Sequence, residues 1–137
     1  MGDRVRKVHY FKIDIPDKAG EGATVLGALR DAGVNLLAFT GFPRGRNAQL
    51  DLFPEDASAL EKAAKKLGYP LSERKTGFLI QGKDRAGAIA DIVSRLAAAK
   101  ISITALDGVA AGEGRFGAIL WVKPEDVEKA AKSLGAS

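Results

Sequence analysis

Cysteine is absent from the 137 residues, and histidine occurs once, at His9. These absences exclude a disulfide framework, a Cys/His zinc site and a thiol nucleophile, and any histidine-dependent triad would have to use His9. A single histidine in a predicted strand more often serves structure than catalysis. Neither glycine turn described below is followed by Gly-Lys-Ser or Gly-Lys-Thr, so a phosphate-binding loop is missing too. We expect a protein that is not an enzyme and needs no metal or cofactor.

Long apolar runs are also absent from the sequence. No stretch reaches the ~18 apolar residues that a membrane-spanning helix needs. The charged start, residues 1–6, is not followed by the apolar segment of a secretory signal. We therefore expect a cytoplasmic protein without a membrane partner.

The composition is that of a folded protein with a mixed surface. Hydrophobic residues make up 46% of the chain and charged residues 28%, which is typical of globular proteins. The chain has 21 basic and 17 acidic residues, a net charge of +4, and the two signs are interspersed. Because no large basic patch is visible, we do not expect nucleic acid to be the partner.

The chain repeats itself at an offset of 67 residues. This offset places Asp17-Lys18-Ala19-Gly20 on Asp84-Arg85-Ala86-Gly87, residues 61–68 on 128–135, and Gly41 on Gly108. Between these blocks the offset shifts in loops and at helix ends, where a duplicated module tolerates insertions. The sequence therefore predicts two copies of one module, residues 1–75 and 76–137.

Each copy is predicted to fold in the order β-α-β-β-α. Apolar alternation indicates the strands, and apolar residues at helical spacing follow each Asp-basic-Ala-Gly turn and each of Pro54 and Pro124. Residues 69–75 can add a fourth strand to module one, whereas only two residues follow Gly135 in module two. The predicted fold class is α+β: two ferredoxin-like βαββαβ modules with antiparallel sheets and helices on one face, the second module lacking its last strand.

Two features of the predicted sheets should be paired or buried by another part of the protein or by a second copy. The missing strand leaves an unpaired edge in module two. The sheet face away from the helices is polar in module one, with Asn47, Gln49 and Asp51, but apolar in module two, with Gly117, Ile119 and Trp121. Packing within the tandem, or a homodimer formed through the open edge or the apolar face, would supply that cover.

The two strand-to-helix turns are the candidate binding sites. A glycine there lets a ligand approach the backbone, and the N–H groups of a helix's first turn attract a carboxylate. An ammonium group would need oxygen atoms such as those of Asp17, Asn35, Asp84 or Ser102. The candidate ligand-binding residues are Asp17, Lys18, Ala19, Gly20, Asn35, Leu36, Asp84, Arg85, Ala86, Gly87, Ser102 and Ile103.

Two such modules, each with Asp-basic-Ala-Gly at its first turn, resemble a tandem pair of ACT domains, which sense small molecules and regulate amino-acid metabolism. The resemblance covers almost the whole chain. In that family an aliphatic residue follows the glycine two positions on; Ile89 matches it and Gly22 departs from it. The resemblance implies a regulatory protein that binds an amino acid at interfaces between modules and signals to an enzyme or a transcription factor.

Three other readings stay open at this stage. Asp17 and Asp84 could simply cap the helices, with Gly20 and Gly87 as ordinary turn residues. The chain could be a structural or oligomerisation module with degenerate sites, which Gly22 favours. Finally, the same strand order builds RNA-recognition domains, and residues 114–121 faintly echo their third-strand signature, although only Trp121 would remain outside to stack a base.

Overall fold

The computed structural model describes residues 2–137, and over this range the chain is an α+β protein. Within these residues it forms six antiparallel strands, four α-helices and one short 3-10 helix, Pro124–Asp126. The strands are β1 (Arg4–Pro16), β2 (Leu36–Arg44), β3 (Asn47–Pro54), β4 (Lys75–Lys83), β5 (Ile103–Gly112) and β6 (Arg115–Val122). The helices are α1 (Glu21–Asp31), α2 (Ala57–Leu67), α3 (Ala88–Ala98) and α4 (Val127–Leu134).

The chain divides into two compact units. The first unit is His9–Lys75, and the second is Thr76–Ser137 together with residues 2–8. The boundary after residue 75 coincides with the predicted one, but the first residues, assigned above to module one, belong with the second unit. The reason is packing: Val5 is buried in the second unit's core, and the Ser137 N–H donates a hydrogen bond to the Val5 carbonyl oxygen.

The same residues correct the prediction of an open edge in module two. The strand order of the second unit is β1-β4-β6-β5, in which only the part of β1 up to Val8 belongs to this unit. The start of β1 therefore takes the place of the missing last strand. On the other side of this segment, the Lys7 N–H donates to the Ser137 carbonyl oxygen at 3.1 Å.

The first unit has the strand order β2-β3-β1 and does not form the predicted fourth strand. Residues 69–74 carry no strand. Only Ser72 is fixed to β1 there: its N–H donates to the Lys12 carbonyl oxygen, and its hydroxyl accepts from the Lys12 N–H, both at 2.9 Å. Pro70 has no N–H to donate to a ladder, which disfavours regular pairing over this stretch.

Each unit packs its helices against one face of its strands, as predicted. Alternate residues of β1 and β3 meet Val25 and Leu29 of α1 and Leu60 of α2 in the first unit. The second unit repeats this arrangement with β4, β6, α3 and α4. Its fully buried residues include Phe78, Ile80, Leu96, Leu120 and Ala130.

The opposite sheet face differs from the prediction. Gln49 and Asp51, expected on the outside, are both buried, and the Gln49 Nε2 donates to Asp51 Oδ1 at 2.9 Å. Arg44 donates to Gln49 Oε1 at 2.6 Å, so a guanidinium is linked to the Asp51 carboxylate through the amide. Ile119 and Trp121 are buried as well. The apolar side chains of module two that were expected to need a cover are thus buried, and the homodimer stays a prediction.

Candidate functional site

The two Asp-basic-Ala-Gly turns have the same backbone geometry. Gly20 (φ 92°) precedes α1 and Gly87 (φ 82°) precedes α3, and both lie in the left-handed region that favours glycine. Neither helix has a side-chain cap, so the alternative that Asp17 and Asp84 cap the helices is wrong. The first N–H of each helix, from Glu21 and Ala88, donates to a carbonyl oxygen of its turn, at 3.2 and 3.3 Å. The next two N–H groups of each helix point out of its start, where they can bind a carboxylate.

In the second unit this turn opens into a pocket of about 300 Å³. That volume lies at the small end of ligand sites and suits a small molecule. The turn and the start of α3 form one wall, the end of β5 forms the other, and an aromatic ring from β6 completes the lining. The lining residues are Asp84, Arg85, Gly87, Ala88, Ile89, Ala90, Gly108, Val109, Ala110 and Phe116.

Gly108 lets the strand pass close to the helix at this pocket. A Cβ at this position would lie 3.0 Å from the Ile89 Cδ1, closer than ordinary van der Waals contact. The aliphatic side chain that matched the family pattern therefore packs on the β5 backbone. Beside it, Val109 is 66% exposed.

The Arg85 guanidinium is anchored at the side of the pocket. Its Nη1 donates to Asp3 Oδ1 at 3.2 Å and to the Lys83 carbonyl oxygen at 2.9 Å. Its Nη2 donates to Asp3 Oδ2 at 3.2 Å and to Asp91 Oδ2 at 3.1 Å. The hydrogen bonds with Asp3, and then those with Asp91, raise the pKa of Arg85 above its ordinary value. Arg85 is thus committed to two carboxylates of its own chain.

The corresponding turn of the first unit is built differently. Lys18 replaces Arg85 and is exposed, and Thr24 replaces Asp91, with its hydroxyl donating to the Gly20 carbonyl oxygen at 3.0 Å. Gly22 stands where Ile89 packs in the second unit. On β2, the ring of Phe39 lies over Gly41, the counterpart of Gly108, where a Cβ would lie 3.4 Å from the Phe39 Cζ. The two turns share a backbone but not a chemical environment.

The starts of the second strands lie away from the turns of their own units. In the first unit, Leu36 pairs with Pro54, whereas the β1 end next to the turn pairs with Asn47, at the other end of β3. Asn35 contacts Glu55 there: its Nδ2 lies 3.4 Å from Glu55 Oε2.

In the second unit, Ile103 pairs with Val122, while Lys83, next to the turn, pairs with Arg115 at the opposite end of β6. In the first unit the turn residues Asp17–Gly20 therefore lie together, away from Asn35 and Leu36. In the second unit the turn residues Asp84–Gly87 lie together, away from Ser102 and Ile103. The expected ligand position at an interface between modules stays a prediction.

Several pocket residues were not anticipated from the sequence. Phe116 belongs to the core of the second unit and also lines the pocket. Gly108 could have been found, because it aligns with Gly41 in the repeat. Asp3 has no counterpart in the repeat, and no sequence signal places it beside Arg85.

The remaining described residues offer fewer groups that could bind a ligand. A concave site of about 410 Å³ lies between the end of α1 and α2 in the first unit, lined by Ala32, Asp56, Ser58, Ala59, Lys62, Ala63 and Lys66, none of them a predicted ligand contact. His9 is exposed on β1. Over residues 2–137, no group of three or more His, Asp or Glu side chains could hold a metal ion, and no helix could span a membrane.

The fold resembles solved structures of low sequence identity. Protein BT0572 from Bacteroides thetaiotaomicron matches with a TM-score of 0.81 at 18% identity, over 96% of this chain and 88% of that one. The ligand-free regulatory subunit of aspartate kinase from Thermus thermophilus matches with a TM-score of 0.65 at 20% identity, over 98% and 95% of the two chains. No family model and no curated protein matches the sequence. The fold is ACT-like.

Proposed function

We propose that this chain is a regulatory protein that binds a small amino acid in the pocket of the second unit, and that it is not an enzyme. The observation that carries the proposal is the pocket of about 300 Å³ at the Gly87 turn, where an open helix start faces the end of β5. The likeness of fold to a regulatory subunit of aspartate kinase supports the regulatory role.

The pocket offers complementary groups to both ends of an amino acid. The N–H groups at the start of α3, around Ile89 and Ala90, would take the ligand's carboxylate. The Asp84 carboxylate would take its ammonium group. The ligand's side chain would then lie toward Val109, Ala110 and Phe116, which are apolar.

The charge around the pocket selects among amino acids. The pocket lining carries the Asp84 carboxylate, and its guanidinium, that of Arg85, is already paired with the carboxylates of Asp3 and Asp91. A second carboxylate on the ligand would meet like charge, which costs affinity. We therefore infer that the ligand has an uncharged side chain of small size.

Thermal unfolding against each of the twenty amino acids at millimolar concentration tests the proposal. A ligand present at ~100 times its dissociation constant stabilises a protein by about 2.7 kcal/mol. We expect a raised Tm with one or a few small neutral amino acids and no change with aspartate or glutamate. If no amino acid raises the Tm, the chain is better read as an interaction module.

A pair of variants locates the binding. Ala110→Phe fills the pocket from an exposed strand position and should abolish the stabilisation by the ligand. Ala111→Phe places the same ring on the next residue of β5, outside the lining, and should keep it. Loss of stabilisation in both variants, or in neither, would contradict the proposed position.

The bound state would be passed to a partner. We propose a regulated enzyme or a transcription factor as that partner, and the likeness of fold to the regulatory subunit of aspartate kinase supports this. A homodimer is part of the same proposal, and sedimentation with and without the ligand would test it. RNA is disfavoured as a partner because Trp121, the one aromatic expected to stack a base, is buried.

A further inference from the structure

We propose that Asp3 is a positioning residue of the second-unit pocket. Its carboxylate holds Arg85, and through Arg85 it holds the Asp84–Gly87 turn in the conformation that receives the ligand. This inference rests on the proposed function for its effect on affinity. Its structural part, the hold of Asp3 on the turn, can be tested without any ligand.

The contact between Asp3 and Arg85 has the geometry of a bidentate ion pair. Both carboxylate oxygens accept hydrogen bonds, one from each Nη, at 3.2 Å. The Asp3 side chain is only 5% exposed, so the pair is shielded from solvent on the carboxylate side. Such fork-to-fork pairs fix orientation as well as supplying energy. A lysine could not reproduce this contact.

The fold makes room for the Asp3 carboxylate at a glycine. A Cβ at Gly82 of β4 would overlap Asp3 Oδ1 and would lie 2.9 Å from both Asp3 Cγ and Phe116 Cε1. The counterpart of Gly82 in the first unit is Ile15, a core residue. The space that the Asp3 carboxylate occupies beside a glycine therefore has no equivalent at Ile15 in the first unit.

Asp3, Arg85 and Phe116 form one continuous assembly beside the pocket. The guanidinium carbon of Arg85 lies 5.9 Å from the centre of the Phe116 ring, within the range of a cation–π contact. Phe116 and Arg85 both line the pocket. A shift of the guanidinium would therefore move two parts of the lining.

Arg85 is not free to bind a ligand's carboxylate itself. An arginine has five N–H donors, and the four on its Nη atoms lie in bonds to Asp3, Lys83 and Asp91. The Lys83 carbonyl oxygen and the Asp91 carboxylate flank the turn on either side, so the guanidinium ties the end of β4 to the first turn of α3. This arrangement makes Arg85 a brace for the turn.

Titration calorimetry on the full chain, with the amino acid that stabilises it most, tests the effect on affinity. Asp3→Asn should raise the Kd roughly tenfold, as typical coupling between sites does. Glu128→Gln is the matched control. It removes the exposed ion pair that links Lys7, in the same N-terminal segment as Asp3, to Glu128 of α4, and it should leave the Kd unchanged. An unchanged or lower Kd in Asp3→Asn would overturn the proposal, and a lower value would mean that Asp3 competes with the ligand.

Two further measurements keep the test independent of folding and of the ligand. Arg85→Lys should weaken binding, and adding Asp3→Asn to it should cost little more, because the two residues act as a pair. Without ligand, amide hydrogen exchange over residues 84–91 should be faster in Asp3→Asn than in the wild type, with β6 unchanged. Equal exchange in the turn would overturn the positioning role even if no amino acid binds.

Discussion

At the scale of single residues, the two turn glycines show how the binding site depends on backbone conformation. Gly20 and Gly87 have positive φ, but a Cβ at either position would meet no atom within 4 Å. An alanine there would therefore be penalised by strain alone.

We expect Gly20→Ala and Gly87→Ala each to lower the free energy of unfolding by about 1–2 kcal/mol in urea denaturation, the usual cost of left-handed backbone for an L-residue. Gly22→Ala is the control. It lies in α1 with open space around its Cα, so alanine should be neutral or stabilise by roughly 0.5–1 kcal/mol. Equal effects at Gly20 and Gly22 would refute the role of φ.

Tyr10 should make the free energy of unfolding depend on pH in the alkaline range. Burial raises its pKa to about 12, and the Asp51 and then Glu73 carboxylates add to the rise. Its ring also stacks on Phe53 at 4.9 Å. Because the folded chain keeps the phenol proton where the unfolded chain loses it, the free energy of unfolding should fall from about pH 10 to about pH 12, by roughly 2–3 kcal/mol.

Denaturation at several alkaline pH values, compared with Tyr10→Phe, measures this contribution. The two proteins differ only in this hydroxyl, so the difference between the two curves isolates Tyr10. A Tyr10→Phe curve that declines as steeply as that of the wild type would show that the phenol contributes nothing.

At the scale of secondary-structure elements, the start of β1 is the part of the fold that the sequence did not reveal. The repeat and the apolar spacing predicted the helices after each turn, because these depend on neighbouring residues. The destination of residues 2–8 depends on which sheet edge is vacant, and neither the alternation nor the repeat encodes it. Residues 69–74 were also mispredicted: their apolar residues indicated a strand, but Pro70 lacks the N–H that strand pairing needs.

Val5 tests whether the start of β1 packs in the second unit. It is buried in the second unit's core, so Val5→Ala should cost about 2 kcal/mol from lost burial and the cavity left behind. Amide exchange should quicken in β4 and β6 of the second unit more than in β3 of the first. Arg4→Ala, one residue earlier and exposed, should have little effect. Faster exchange in β3 alone would contradict the placement of Val5.

At the scale of the whole molecule, the sequence predicted an α+β chain of two similar units with a candidate site at each glycine turn. The turn residues are grouped as expected because they are adjacent in sequence. Asp3 and Phe116 could not be added, since they reach the pocket through tertiary packing. The repeat also concealed the difference between the two turns, which follows from substitutions such as Thr24 for Asp91.

Mapping the bound amino acid by amide chemical shifts in nuclear magnetic resonance tests the central proposal most directly. The stabilising amino acid is titrated into the full chain, and the changes are assigned along the sequence. Our proposal predicts that the largest changes fall on residues 84–90 and 108–110, with smaller ones at Asp3. Changes centred instead on Asp56, Lys62 and Lys66, around the larger concavity of the first unit, or no changes at all, would contradict it.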